Sequence, residues 1–375
     1  MLYCIDLMLS PSQTVPISRI EVKSFTIPTD FPESDGTLEW DRTTIVLVQV
    51  FGGGKRGLGY TYADTATATL IHDTLAPSIK NMDAMSPAAV YMAMWRRLRN
   101  LGRPGICSMA ISAVDCALWD LKARLLGLPL VTLLGQVREA APVYGSGGFT
   151  SYSDRQLAKQ LSGWVNQGIP RVKMKIGRDT PRDDVERVRV ARRAIGPKAE
   201  LYIDANGAYS RKQAVAQAER FAGFGVLWFE EPVSSDDLEG LRLVRDRAPA
   251  IMDIAAGEYG YDIFYFRNML SAGAVDVQQA DITRCGGVTG FLQVAALCQA
   301  HNIPLSGHTA PALHTQVACA VTPFKNLEYF HDHVRIERLI FDGLPRLVNG
   351  ALRPDLSCPG FGLELKHRDA EKFAA

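Results

Sequence analysis

The chain lacks several features that would announce particular partners. It has no apolar run of membrane-spanning length, so no membrane partner is expected. It has no charge excess, with 41 Lys and Arg against 40 Asp and Glu, and its basic residues form no sustained block, so no nucleic acid partner is expected either. Its seven cysteines (Cys4, Cys107, Cys116, Cys285, Cys298, Cys319, Cys358) are scattered, odd in number and without C-x-x-C spacing. That argues against a disulfide framework or a thiolate zinc site, and for a reducing, cytoplasmic setting. The glycine-rich turn from Gly52 to Gly59 has neither the P-loop pattern nor Rossmann spacing, so it is not read as a phosphate cradle. The opening Met1 to Ser10 is apolar but short, carries Asp6 and lacks a basic start. Residues 1–13 are therefore expected to be a loose N-terminal extension rather than a secretory signal.

Apolar residues, 47% of 375, are plentiful enough for two domains or for one barrel with additions. Residues 17–27, 43–51 and 57–62 read as strands of an antiparallel meander. Pro28 to Trp40 reads as a polar loop that ends on an exposed aromatic and could cover a site. Helical periodicity follows over 65–80, 86–100 and 108–126. In the last of these Ile111, Val114, Leu118, Leu121 and Leu125 form one stripe, with Asp115, Asp120 and Lys122 mostly off it. Ser86 before Pro87 is an expected N-cap and Gly127 an expected C-cap. Residues 14–140 thus form one α+β unit.

From Ala141 the pattern changes to short apolar strands alternating with amphipathic helices. Eight strands are expected, at 142–147, 171–177, 201–206, 227–231, 254–258, 275–281, 303–308 and 326–330. Their regular spacing favours a (β/α)7β TIM-like barrel over residues 141–345, an α/β fold, over an open doubly wound sheet. Residues 346–375 carry no further repeat and are expected to pack back on the first unit.

The chemistry-bearing residues sit on those strands. Lys173 and Lys175 point to one strand face while Val172, Met174 and Ile176 point to the other. Like charges in a partly desolvated site favour the neutral form, which turns a lysine into a base near neutral pH. Three strands end on a carboxylate, Asp204, Glu230 and Glu258, at the barrel end where their oxygens would converge. Buried acids need a cation, and three oxygens suit a hard one such as Mg2+. The next strands end on Asp281, His308 and Glu328. Asp281 would fix the His308 tautomer, and His308 would face Lys175 across the barrel.

This order, Lys-x-Lys, Asp, Glu, Glu, Asp, His, Glu on successive strands, resembles the enolase superfamily and specifically its mandelate racemase subgroup, over nearly the whole chain from about residue 14. The resemblance implies an N-terminal α+β capping domain whose loops close the site. It implies Mg2+ on Asp204, Glu230 and Glu258, with Lys175 and the His308/Asp281 dyad as acid/base catalysts on opposite faces. Lys173 would contact the carboxylate of a small-molecule substrate, and Glu328 would hydrogen-bond it as a protonated acid. A symmetric homo-oligomer is also implied. Tyr259 and the polar loop from Pro28 to Trp40 differ from an apolar lid over a phenyl ring, so the racemase's substrate does not carry over. The expected reaction is α-proton abstraction through an enolate, dehydrating an acid sugar to a 2-keto-3-deoxy acid. The alternatives are a racemase or epimerase of an α-hydroxy acid and a non-catalytic binding or assembly barrel, which the intact residue set argues against. Arg284 reads as a structural pair, and Thr283 and Arg284 need not touch substrate. His331 and His333 could line the pocket but are not expected to hold a second metal. His72, His301, His314 and His367 read as solvated or structural.

Overall fold

A computed structural model of the protein describes residues 14–178 and 180–375; the expected extension, 1–13, lies outside the described residues. The chain begins with an antiparallel meander of β1 (Arg19–Ser34), β2 (Glu39–Gly52) and β3 (Lys55–Tyr62). The expected loop from Pro28 to Trp40 is instead the outer half of a long β1–β2 hairpin. Pairing lapses after Pro28, opposite Arg42, and resumes with Glu33 opposite Trp40. Pro28 and Pro32 interrupt the ladder because proline has no N–H to give it. The second glycine turn also shrinks, to Gly53 and Gly54, because Gly57 and Gly59 lie inside β3. A Cβ on Gly57 would sit 2.1 Å from the Ala117 carbonyl and one on Gly59 2.2 Å from that of Ala113. The two glycines let the helix Ile106–Leu126 lie directly on the strand.

That helix is buried along the expected stripe and on other sides as well. Asp115 and Asp120 are fully buried. Asp120 accepts the N–H groups of Leu58 and Phe361 and pairs with Arg124, while Asp115 accepts both the N–H and the hydroxyl of Thr289. Sheet lies against one face and barrel helices against another, so off-stripe positions are interior too. Residues 66–79 are helical with a π-wide turn over Ile71–Leu75, just before Pro77. Ser86 makes no side-chain cap; its hydroxyl donates to Asp83, which also takes the N–H groups of Val15 and Met85. Gly127 ends its helix in the left-handed conformation, as expected.

Eight parallel strands follow: β4 (Ala141–Gly147), β5 (Arg171–Lys175), β6 (Glu200–Asp204), β7 (Val226–Glu230), β8 (Asp253–Ala256), β9 (Val277–Ala280), β10 (Leu305–Gly307) and β11 (Phe324–Phe330). Each pairs with the next and β11 pairs with β4, so the barrel closes and the open-sheet alternative falls away. Helices fill the gaps, among them Asp154–Asn166, Pro181–Ile195, Arg211–Ala222 and Gly287–Ala300. Inside the barrel Tyr144, Tyr202, Trp228, Ala255 and Val277 form a buried apolar plug.

The last residues take part in both units. β12 (Phe341–Asp342) follows the final barrel helix, and β13 (Arg346–Val348) and β14 (Ala351–Arg353) form a hairpin. β14 pairs antiparallel with β4, and Phe361 and Glu364 bond to Asp120 and Arg124 of the cap. Among the described residues no helix is long and apolar enough to cross a membrane.

Candidate active site

Strand register gathers the charged residues. Lys175 is opposite Asp204, and Asp204 is opposite Glu230, so three neighbouring strands deliver these side chains at one level. Lys173 lies one pleat deeper, fully buried above the ring of Tyr144. Its ammonium meets Glu230, Glu328 at 2.8 Å and Asp204 at 3.2 Å. Lys175 lies 2.6 Å from Asp204 and donates to Asn206 at 3.0 Å.

Glu258, two residues beyond the end of β8, completes a group with Asp204 and Glu230 in which one oxygen of each lies within 4.8 Å of the others. All three are buried. Trp228 donates to Glu230, and the Asn206 N–H to Asp204. Glu258 Oε2 has no hydrogen-bond partner, although His308 Nε2 is 3.3 Å away. An all-oxygen, anionic, buried trio with an unsatisfied lone-pair atom has the character of a hard-cation site.

His308 and Asp281 form a pair at 2.9 Å through Nδ1, and Thr283 donates both its N–H and its hydroxyl to the other Asp281 oxygen. Glu328 accepts from the Ser146 hydroxyl and the Thr309 N–H, and lies 3.5 Å from His308 Nε2. Beside them His314, expected to be solvated or structural, is fully buried and bonds Ile282 N–H through Nε2 and the Thr309 carbonyl through Nδ1. It ties the loop after Asp281 to the loop after His308. Arg284 is a structural pair as expected, bonding the Glu258 carbonyl and flanking Glu258 and Asp281.

Two protonation states differ from the sequence reading. Burial and the repulsion from Lys173 pull Lys175 down, but Asp204, with Glu258 and Glu328 behind it, raises it by more, so the ammonium form is favoured. Glu328 is expected as a neutral acid, yet Lys173 and His308 overcome its burial and hold it at about 2. Burial also opposes the charge on His308, but Glu258, Glu328 and Asp281 lift it to about 10. Glu230 goes the other way, since burial and the nearby Asp204 push it up to about 8 against the pull of Lys173. Each charge in the cluster thus depends on its neighbours, a coupling that the lysine pair alone does not reveal.

The roof comes from the cap. Lys175, Glu258, His308 and Glu328 line a cavity of about 410 Å3 with Trp40, Thr43, Thr44 and Tyr62 from β2 and β3, and with His333. Trp40 is not a free aromatic; it packs edge-on against Phe149 and donates to Glu33. His331 and His333 part company: His331 leaves the cavity to pair with Asp30 near Glu33, while His333 stacks on Tyr62. Asn206, Ser146 and Tyr62 escape a sequence reading because a neutral polar residue at a strand end carries no pattern.

Comparison with known proteins places these features. Residues 20–135 match the family described as mandelate racemase / muconate lactonizing enzyme, N-terminal domain, and residues 156–370 match enolase C-terminal domain-like proteins. The 3,6-anhydro-alpha-L-galactonate cycloisomerase of Streptomyces coelicolor is 32% identical over 84% of this chain and 88% of its own. The D-gluconate dehydratase of Thermoproteus tenax is 32% identical over 92% and 72%. A mandelate racemase/muconate lactonizing enzyme-like protein from Rubrobacter xylanophilus superposes with a TM-score of 0.94 at 55% identity, over 96% of this chain and all of that one. A racemase from Streptomyces coelicolor A3(2) with bound magnesium gives 0.90 at 30% identity, over 96% and 100%. Curated relatives are mostly named as dehydratases or cycloisomerases of acid sugars, some with one carboxylate and some with two. The chain is an enzyme of the enolase superfamily and belongs to its mandelate racemase subgroup.

Proposed function

We propose that the chain is a Mg2+-dependent dehydratase that converts an acid sugar to a 2-keto-3-deoxy acid. The observation that carries this reading is the meeting, in one cavity, of Lys175, His308, Glu258 and Glu328, with Asp281 bonded behind His308. The names of the curated relatives and the magnesium in a similar racemase support it.

Asp204, Glu230 and Glu258 would hold the ion, and the unpartnered oxygen of Glu258 fits that role. Bound there, Mg2+ supplies positive charge where an enolate oxygen becomes negative. Lys173 adds a second, fully buried charge for the substrate carboxylate, an arrangement that costs no reorganisation during the reaction. An arriving carboxylate raises the proton affinity of Glu328, which then serves as the hydrogen-bond donor to it. Lys175 must give up its proton to work as the neutral amine; Lys173 pushes it that way, and a cation held on Asp204 would weaken that carboxylate's grip on the ammonium. Lys175 takes the proton from C2. As the C2–C3 double bond forms, the C3–O bond breaks, and the His308 imidazolium gives its proton to the departing hydroxyl, which leaves as water. The enol then gains a proton at C3 and loses one from its C2 hydroxyl, giving the ketone. Asp281 holds His308 in place throughout.

Racemisation or epimerisation is the second reading. Lys175 and His308 rise from strands separated by β4 and β11 on one side of the barrel and by four strands on the other, so each reaches substrate from its own direction. The same reading divides the chain into a cap (14–140), a barrel (141–345) and a returning segment (346–375). Acid sugars incubated with enzyme and Mg2+ in D2O test both readings, with 2-keto-3-deoxy product and α-deuterium followed in parallel. Product formation supports the dehydratase; exchange with inversion and no product supports the epimerase. No exchange from any α-hydroxy acid defeats both.

A further inference from the structure

We infer that the substrate is an acid sugar with one carboxylate, an aldonate, whose neutral hydroxylated end is held by Tyr62 and His333. This deepens the dehydratase reading and rests on it. The cavity has a charged floor and a roof of another kind. Beyond the floor residues, the basic side chains lining it among the described residues are Arg284, Arg42 and His333. Arg284 is committed to the Glu258 carbonyl and lies between the Glu258 and Asp281 carboxylates. Arg42 is mostly exposed and forks onto its neighbour Asp41, at 2.7 and 3.2 Å. His333 is a neutral ring, because burial holds it down at about 3.

Acids occupy the same rim. Asp35 accepts from Thr37 and the Leu38 N–H, and Asp64 from the Ala66 N–H. A second substrate carboxylate at that end would meet two anions, and the one side-chain cation on the rim among the described residues, Arg42, would have to be drawn from Asp41 to meet it. Like charges brought together repel, and the exchange of one carboxylate for another at Arg42 gains little.

A hydroxyl meets suitable groups there. Tyr62 Oη is buried and has no hydrogen-bond partner, so it can donate to a sugar oxygen and accept from another. Its ring is stacked on His333, with centroids 3.4 Å apart. The Ala310 N–H points at His333 Nδ1 from 3.4 Å, which leaves the ring proton on Nε2 as a donor. Orphaned neutral groups at a buried end favour the ligand that satisfies them and disfavour one that cannot.

Matched series of aldonates and aldarates test this, with each acid assayed for 2-keto-3-deoxy product and for α-proton exchange in D2O with Mg2+ present. Turnover is expected with aldonates, and aldarates of the same configuration are expected to show kcat/KM at least about tenfold lower. Tyr62→Phe and His333→Phe keep the stacked rings and remove only the polar atoms. Each is expected to raise KM for the best aldonate about tenfold with kcat little changed and the melting temperature unmoved. Equal or better turnover of aldarates overturns the inference and leaves the dehydratase reading standing. Unchanged KM in both variants removes Tyr62 and His333 from the assignment. Absence of exchange in both series overturns the dehydratase reading and the inference with it.

Discussion

β5 to β7 and the β1–β2 hairpin face the same cavity from opposite sides, and they are held in place differently. On the floor, Lys173, Asp204 and Glu230 have no solvent exposure and are fixed by strand register and by one another. Above them, the hairpin reaches over from another unit and meets the barrel through side chains and loop backbone rather than through strand register. Thr150 bonds Ser34 through both backbone and side chain, and the Gly36 backbone rests on the loops after β5 and β6. The floor therefore resists being rearranged without loss of the whole charge network. The roof can change side chains, or shift as a body, while the floor stays intact. On the proposed reading, reaction type belongs to the first region and substrate choice to the second.

The comparison breaks most visibly if a floor residue proves dispensable. Lys175→Met removes the proposed base and is expected to lower α-proton exchange about a thousandfold or more, read by NMR in D2O. Chelating Mg2+ should abolish exchange altogether, and Glu258→Gln should reproduce that loss along with loss of Mg2+ binding by calorimetry. Exchange that survives either change would separate the chemistry from this cluster. Next in size is Asp281→Asn. His308 remains but loses its charged partner, and a fall in kcat of about a hundredfold with KM nearly unchanged is expected. A change in KM alone would move Asp281 from orienting a catalyst to shaping the pocket.

These floor residues are the ones the sequence makes legible. Carboxylates at the ends of apolar strands, spaced one βα unit apart, have few structural explanations, and closure of the barrel turns that spacing into proximity. Protonation was not legible, because the charge on Lys175 or Glu328 depends on neighbours that come from other strands. The roof is less legible. Pro28, Pro32, Asp35 and Gly36 are turn formers by local preference, yet pairing resumes at Glu33 and Ser34, where Trp40 packs on Phe149 and Ser34 bonds Thr150. Local propensity cannot register a contact made more than a hundred residues away. Asp115 and Asp120 lie off the stripe, and their burial is not legible for a related reason, since a single apolar stripe describes a helix with one wet face and this helix is covered on several sides.

A smaller effect on activity sharpens the comparison from the roof side. A Cβ at Gly36 would stand 2.7 Å from the Ala205 carbonyl, 2.8 Å from that of Ile176 and 2.9 Å from the Ala208 side chain. Two of these are backbone atoms beside Asp204 and Lys175, so the tip must lift rather than the neighbours yield. Gly36→Ala is expected to raise KM about tenfold, the equivalent of about 1.4 kcal/mol of lost closure, while the melting temperature and Mg2+ affinity stay unchanged. A loss of kcat without a rise in KM would mean that the hairpin reaches the chemistry itself.

The smallest expected effect on turnover belongs to the joint between the two regions, where Asp115 of the cap accepts from Thr289 of the helix Gly287–Ala300 at 2.9 and 2.7 Å. Burial raises the Asp115 carboxyl to about 7, and the donors from Thr289 only partly offset it. The folded state then holds this proton more tightly than the unfolded chain, whose aspartate titrates near 4. The stabilisation is complete below about pH 4 and is lost as the pH rises through about 7. Asp115→Asn keeps an acceptor for the Thr289 N–H and removes the titration. Urea unfolding at pH 5 and pH 8 should therefore show a larger fall in midpoint for the parent than for the variant, with kcat the same in both. A variant that loses stability in parallel with the parent would place the pH dependence elsewhere. A variant that loses turnover would show that the roof is held over the floor through this one buried carboxyl, and the two regions would then have to be treated as a single unit.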